Sequence, residues 1–198
     1  TLGALSVGLN GDVILPADAD MVLDIEFQSQ DMSIKSILSL LPGDYSSYLE
    51  NVSADGEVGI EGKVSGVYNE SRLPDININA MISNGYLAYQ EYPVPIEEVQ
   101  LEAALVIPGV NMDLLSFSMP HFSMQVEGQD FKAQMEFNNL ANYTWDLNAS
   151  GGLDLGKIFQ IIPVEGMDLN GLISGSFETS GNMLLIEEEK YEQLPTKG

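Results

Sequence analysis

Apolar and polar residues alternate one by one along most of this chain, in stretches set apart by turn-forming residues. A strand points successive side chains to opposite faces, so this period dictates antiparallel β structure with one apolar and one wetted face. Met21, Leu23, Ile25 and Phe27 alternate with Val22, Asp24, Glu26 and Gln28. Val99, Leu101, Ala103, Leu105 and Ile107 do the same ahead of Pro108-Gly109, and Phe131, Ala133, Met135 and Phe137 alternate with Lys132, Gln134 and Glu136.

Asn84-Gly85 is the pair that tolerates the two positive φ angles of a type I′ turn, and it predicts a hairpin in which Ile82 faces Leu87 and Ala80 faces Tyr89. That pairing places Ile76, Ile78, Ala80, Ile82, Leu87 and Tyr89 on one face, with Asn77, Asn79, Ser83 and Gln90 on the other. Met81, Tyr86 and Ala88 are apolar residues that fall at wet-face positions.

Helical spacing is sparse. Ile34, Ile37, Leu38 and Leu41 fit one helix, with Asp31 or Ser33 as N-cap and Pro42-Gly43 as the stop. Tyr45, Tyr48, Leu49 and Val52 fit a second short turn. Leu155, Ile158, Phe159 and Ile162 repeat the first pattern before Pro163, and Leu184 to Gln193 reads as a further exposed helix. The segments near Ser33 to Leu41 and Asp154 to Ile162 have apolar stripes too narrow for a helical core, and are expected to cap the ends of curved sheet.

The Met32 to Pro42 and Leu153 to Pro163 segments align about 120 residues apart, each preceded by an alternating strand and followed by a glycine ladder, Gly56 to Gly66 and Gly171 to Gly181. This predicts an internal repeat, copy one over 21–140 and a truncated copy two over 143–198. Thr1 is preceded by no initiator Met or basic leader, and the second copy stops at Gly198, so the expectation is a piece of a longer, elongated array.

Seven basic residues against 30 acidic ones leave a net charge of −23, with no basic patch for a phosphate backbone, so no nucleic-acid partner is expected. Without cysteine there is no thiol catalysis and no cysteine-ligated metal. No apolar run approaches the ~20 residues of a spanning helix.

His121 is the only imidazole, so neither a Ser-His-Asp triad nor a multi-histidine metal site can be built within the chain. Asp75, Asn77 and Asn79 sit at strand spacing and lack the Gly and Glu of a calcium loop. Gly56, Gly59, Gly62 and Gly66 punctuate a strand rather than open a helix, which points to sheet curvature instead of a phosphate cradle. Carboxylate pairs such as Glu97-Glu98 and the Glu187 to Glu189 run read as solvated faces. No catalytic residue, metal or cofactor is predicted.

Several motifs in fixed order resemble the AsmA-like family of Gram-negative envelope proteins, particularly its C-terminal region as found in Bacteroidetes. They are Ala54-Asp55-Gly56 leading to Val64-Ser65-Gly66, Leu73-Pro74, and Asn84-Gly85-Tyr86-x-x-Tyr89 followed by Pro93 or Pro95. Downstream come Val164-Glu165-Gly166-Met167, Asn170-Gly171, Gly181-Asn182-Met183, Ile186-Glu187 and Lys190-Tyr191-Glu192. The resemblance implies a periplasmic protein tethered to the inner membrane by an N-terminal helix absent from this sequence. It implies a part in outer-membrane assembly alongside envelope proteins of both membranes, with curved, repeated sheets forming a groove for acyl chains. It supplies no catalytic residues.

The expected fold is therefore mainly β, a curved antiparallel sheet with short capping helices, as a segment of an elongated β-groove. The expected ligand is a phospholipid or other acyl lipid, and the candidate lining is Ile76, Ile78, Ala80, Ile82, Val99, Leu101, Ala103, Leu105, Met135 and Phe137. The same alternation fits a sealed core, and a structural or adhesive β-sandwich module that binds protein or glycan through loops such as Asp18 to Asp20 or Pro93 to Glu98 is the alternative.

Overall fold

The computed structural model describes residues 6–17, 19–30, 32–38, 52–89, 92–154, 171–188 and 190–198. Eleven strands form one antiparallel sheet: β1 Ser6–Ile14, β2 Met21–Gln30, β3 Met32–Ser33, β4 Val52–Tyr68, β5 Asp75–Tyr89, β6 Tyr92–Ile107, β7 Ser116–Val126, β8 Gln129–Asn138, β9 Thr144–Asp154, β10 Leu172–Asn182 and β11 Thr196–Lys197. They neighbour one another in chain order, except that the short β3 pairs with β4 alongside β2. The described helices are α1, Ile34–Leu38, and α2, Met183–Glu187, with single 3-10 turns at Met112–Leu114 and Tyr191–Gln193.

The alternating stretches become strands as the period requires, but Asn84-Gly85 does not turn the chain. β5 runs straight through it, bonded to β4 on one side and β6 on the other. The positive φ that suits Asn to a type I′ turn is used here in a bulge: Asn84 has φ 52°, and the β5–β6 register shifts between Ile82 and Gly85. Gly56 on β4 (φ 119°) and Glu98 on β6 (φ 50°) carry matching irregularities at the same level. The inserted residues are on β5 and β6, with Gly56 of β4 facing the β5 bulge, and these two adjacent bulges bend the sheet and sharpen its twist.

Each extra residue also resets the face parity. Ile82 therefore pairs with Val58 and Leu101, while Leu87 pairs with Ala54 and Ile96, yet both pack against one cluster. The expected sharing of a face by Ile82 and Leu87 is observed, through a bulge rather than a turn. Tyr86 lies opposite Asp55 and Ala88 opposite Ser53, on the other face.

Ser33 caps α1, its Oγ accepting from the Ser36 amide at 3.2 Å. The helix seats Ile34 over the apolar side of the bulge, where Met32, Ile34, Ile96, Val99, Met124 and Val126 are buried. This is the expected capping role at one end of the sheet. The expected turn at Tyr45, Tyr48 and Leu49 and the expected helix at Leu155 to Ile162 lie outside the described residues, so the repeat stays a sequence expectation, and Val52, expected in that turn, opens β4 instead. Asp154, expected to open that helix, closes β9.

The single helix expected over Leu184 to Gln193 is instead α2 followed by a 3-10 turn. The Lys190 amide donates to the Leu185 carbonyl at 2.8 Å, a wide closure that ends α2, and the acidic run at 187–189 opposes the negative end of the helix dipole.

The accessible surface is 12802 Å². A compact monomer of 21.5 kDa exposes about 9,200 Å². The described strands form a single layer, with no second described sheet closed on it.

Candidate functional site

Paired residues of an antiparallel sheet share a face, so the register traces each face from strand to strand. One row runs Leu9, Phe27, Gly62, Ile78, Leu105, Phe117, Phe137, Trp145 and Gly181, from β1 across to β10. Another runs Met32, Val58, Ile82, Leu101, Phe122, Ala133, Ala149 and Phe177. Gly62 is required in the first row by packing, since a Cβ there would come 2.4 Å from the ring of Phe27.

Across these and the flanking rows, the described side chains of this face include no Asp, Glu, Lys, Arg, His or Asn, and the amide they include is Gln129, the register partner of Val126 where β8 begins. Its other polar members include Ser29, whose Oγ accepts from the Ile60 amide at 2.7 Å, together with Tyr68, Tyr89, Thr179 and Thr196. All ten candidate lining residues fall on this face. Val99 is buried at the bulge, and the other nine are half-buried. Among the described residues, β3 and α1 fold over it at the bulges, and Leu194, after the Tyr191–Gln193 turn, packs over it at Gly181 and Trp145.

Sequence reasoning missed the contribution of β7. Phe117 and Met119 lie on the apolar face at odd positions, and Phe122, Met124 and Val126 at even ones, because the register shifts between Met119 and Phe122. The signal is the break at Pro120-His121: the Phe-x-Met pattern resumes after it with its phase moved by one. Phe122 meets Phe131 edge-on, ring centroids 6.3 Å apart, beside the buried cluster.

The opposite face is polar and charged. Lys63 stands between Asp24 (2.7 Å) and Glu26 (3.4 Å), and these hydrogen bonds hold its ammonium above the usual 10.5. Ser118 donates to Glu136 at 2.6 Å. His121 pairs in register with Glu102 and is exposed, while Asn77 and Asn79 hold the wet positions expected of them. Two open hollows lie on this face. One, about 480 Å³, is lined by Asn10, Glu26, Glu61, Lys63, Asn77 and Asn79. The other, about 440 Å³, is lined by Gly59, Met81, Glu102, Ala104, Ser118 and Pro120, with Met81 51% exposed. Among the described residues, no three acidic or histidine side chains converge to hold a metal ion, and no helix is long and apolar enough to cross a membrane.

No protein-family model matches the chain, and neither the curated proteins nor the solved structures provide a match.

Proposed function

We propose that this chain is a non-enzymatic periplasmic segment of an AsmA-like envelope protein, supporting lipid transport and outer-membrane biogenesis by holding acyl chains along its apolar sheet face. The observation that carries the reading is a face whose described side chains include no ionisable group, spanning ten strands and left half-exposed over most of its candidate lining. Exposed apolar area on that scale is costly in water and marks a binding surface for something apolar. An acyl chain fits because the rows run unbroken across the strands and ask for no hydrogen bond. The motif resemblance to AsmA-like proteins supports the same reading and supplies its cellular setting.

Titration of delipidated protein with a fluorescent phospholipid tests it, with native mass spectrometry to count bound lipid. Saturable uptake is expected. A folded, monodisperse protein that takes up none would remove the proposal.

A second reading, an adhesive module, is favoured by the hollows of the polar face, whose Asn, Glu and Lys side chains offer the donors and acceptors a glycan needs. Glycan binding that survives substitution of the apolar face would distinguish it.

A further inference from the structure

We propose that the lipid this face accepts is one with an uncharged or zwitterionic headgroup, and that anionic phospholipids are excluded electrostatically. The inference rests on the lipid reading above and concerns which lipids that same face takes.

The argument begins with where the cations are. Lys63, Lys132 and Lys197 belong to the polar-face register, opposite Glu26, Ser150 and Glu178 respectively. Lys63 is committed to Asp24 and Glu26, and Lys190 to Glu188. Lys35 is the one cation on α1, above the bulge end of the face and outnumbered there by carboxylates, and Arg72 lies between β4 and β5 at the other end. None of the described apolar-face positions therefore offers a phosphate a charged partner.

An acyl chain lying on the face must leave its headgroup at one of the two rims where strands end. At the rim near the bulges stand Glu97, Glu98, Glu127 and Asp130, all exposed. At the opposite rim stand Asp20, Glu70 and Asp113, also exposed, with Arg72 beside them. A phosphodiester with no compensating ammonium meets net negative charge at either end. Phosphatidylethanolamine carries its own ammonium, which the same carboxylates attract.

Exposed charge pairs change affinity by roughly a factor of two each, so two or three carboxylates give about a five-fold discrimination. Screening removes it, because the Debye length falls from about 14 Å at 50 mM salt to about 4 Å at 500 mM.

The experiment compares acyl-labelled phosphatidylethanolamine and phosphatidylglycerol with identical chains, titrated into delipidated protein at both salt concentrations. Expected at 50 mM is about five-fold tighter binding of phosphatidylethanolamine, falling to within two-fold at 500 mM. The double variant Glu97→Lys, Glu98→Lys should tighten phosphatidylglycerol binding about four-fold and leave phosphatidylethanolamine within two-fold of its starting value. Equal binding of the two lipids at 50 mM, or a difference that salt does not move, overturns the headgroup inference while leaving the lipid reading intact. Binding of neither lipid by folded protein overturns both.

Discussion

Gly85 of β5 and Val99 of β6 are register partners packed so closely that a Cβ on Gly85 would sit 2.7 Å from the Val99 Cβ and 3.1 Å from Ile34 Cδ1. The contact joins the bulge line, α1 and the buried cluster in one place. The glycine there is a matter of space rather than backbone angle, because its missing side chain is the hole that α1 fills.

Gly85→Ala is accordingly expected to overpack this junction and destabilise the protein by about 1–3 kcal/mol. Gly59→Ala serves as the contrast, since a Cβ there would meet Met81 at an ordinary 3.6 Å. Its effect should stay within about 0.5 kcal/mol. Urea denaturation of both variants checks the pair, and equal losses would contradict the packing described at Gly85.

Asn84 takes φ 52° in mid-strand, where a β-branched side chain is strained. Asn84→Gly should be close to neutral and Asn84→Val should cost about 1–2 kcal/mol. A type I′ hairpin would also penalise valine at this position. The two geometries separate by cross-linking: Ile82 lies beside Leu101 here and would lie beside Leu87 in a hairpin. Cysteines at 82 and 101 are expected to be bridged far more readily than cysteines at 82 and 87.

The Asn84 comparison shows what the sequence made legible. The period of two identified strands, and the alternation in β2, β6 and β8 assigned their faces without reference to neighbours. Asn-Gly marks positive φ, but a bulge and a turn both use positive φ, and the choice between them depends on whether β4 can accommodate the extra residue and β6 can bulge at the same level. That is a property of Gly56 and Glu98, distant in sequence. In β7 the phase change at Pro120-His121 hid Phe122, Met124 and Val126 from a simple alternating pattern for the same reason, since one inserted residue moves the rest to the other parity. That no second described sheet closes on this face was not legible at all, because alternation describes a face and is silent on what covers it.

Lys63 offers a test of the polar face. The hydrogen bonds that its ammonium donates to Asp24 and Glu26 raise its pKa above 10.5 in the folded chain. A raised value means the ion cluster adds stability in full below the unfolded pKa and loses it as pH climbs through the folded value. The stability difference between wild type and Lys63→Met should therefore be flat between about pH 7 and 9.5 and shrink above about 10.5. It should also fall with added salt, because all three groups are well exposed. A difference unchanged up to pH 12 would contradict the cluster's role.

The central claim is that the apolar face binds rather than seals, and one paired substitution tests it most directly. Ile78→Glu places a charge on a half-buried position in the long row, and Val126→Glu places one in the buried cluster at 4% exposure. The account predicts that Ile78→Glu costs no more than about 1 kcal/mol of stability and weakens fluorescent-phospholipid binding at least about ten-fold. Val126→Glu should lose roughly 3 kcal/mol or more before binding can be measured. The contradicting result is Ile78→Glu unfolding as Val126→Glu does, or staying folded and binding phospholipid as tightly as wild type.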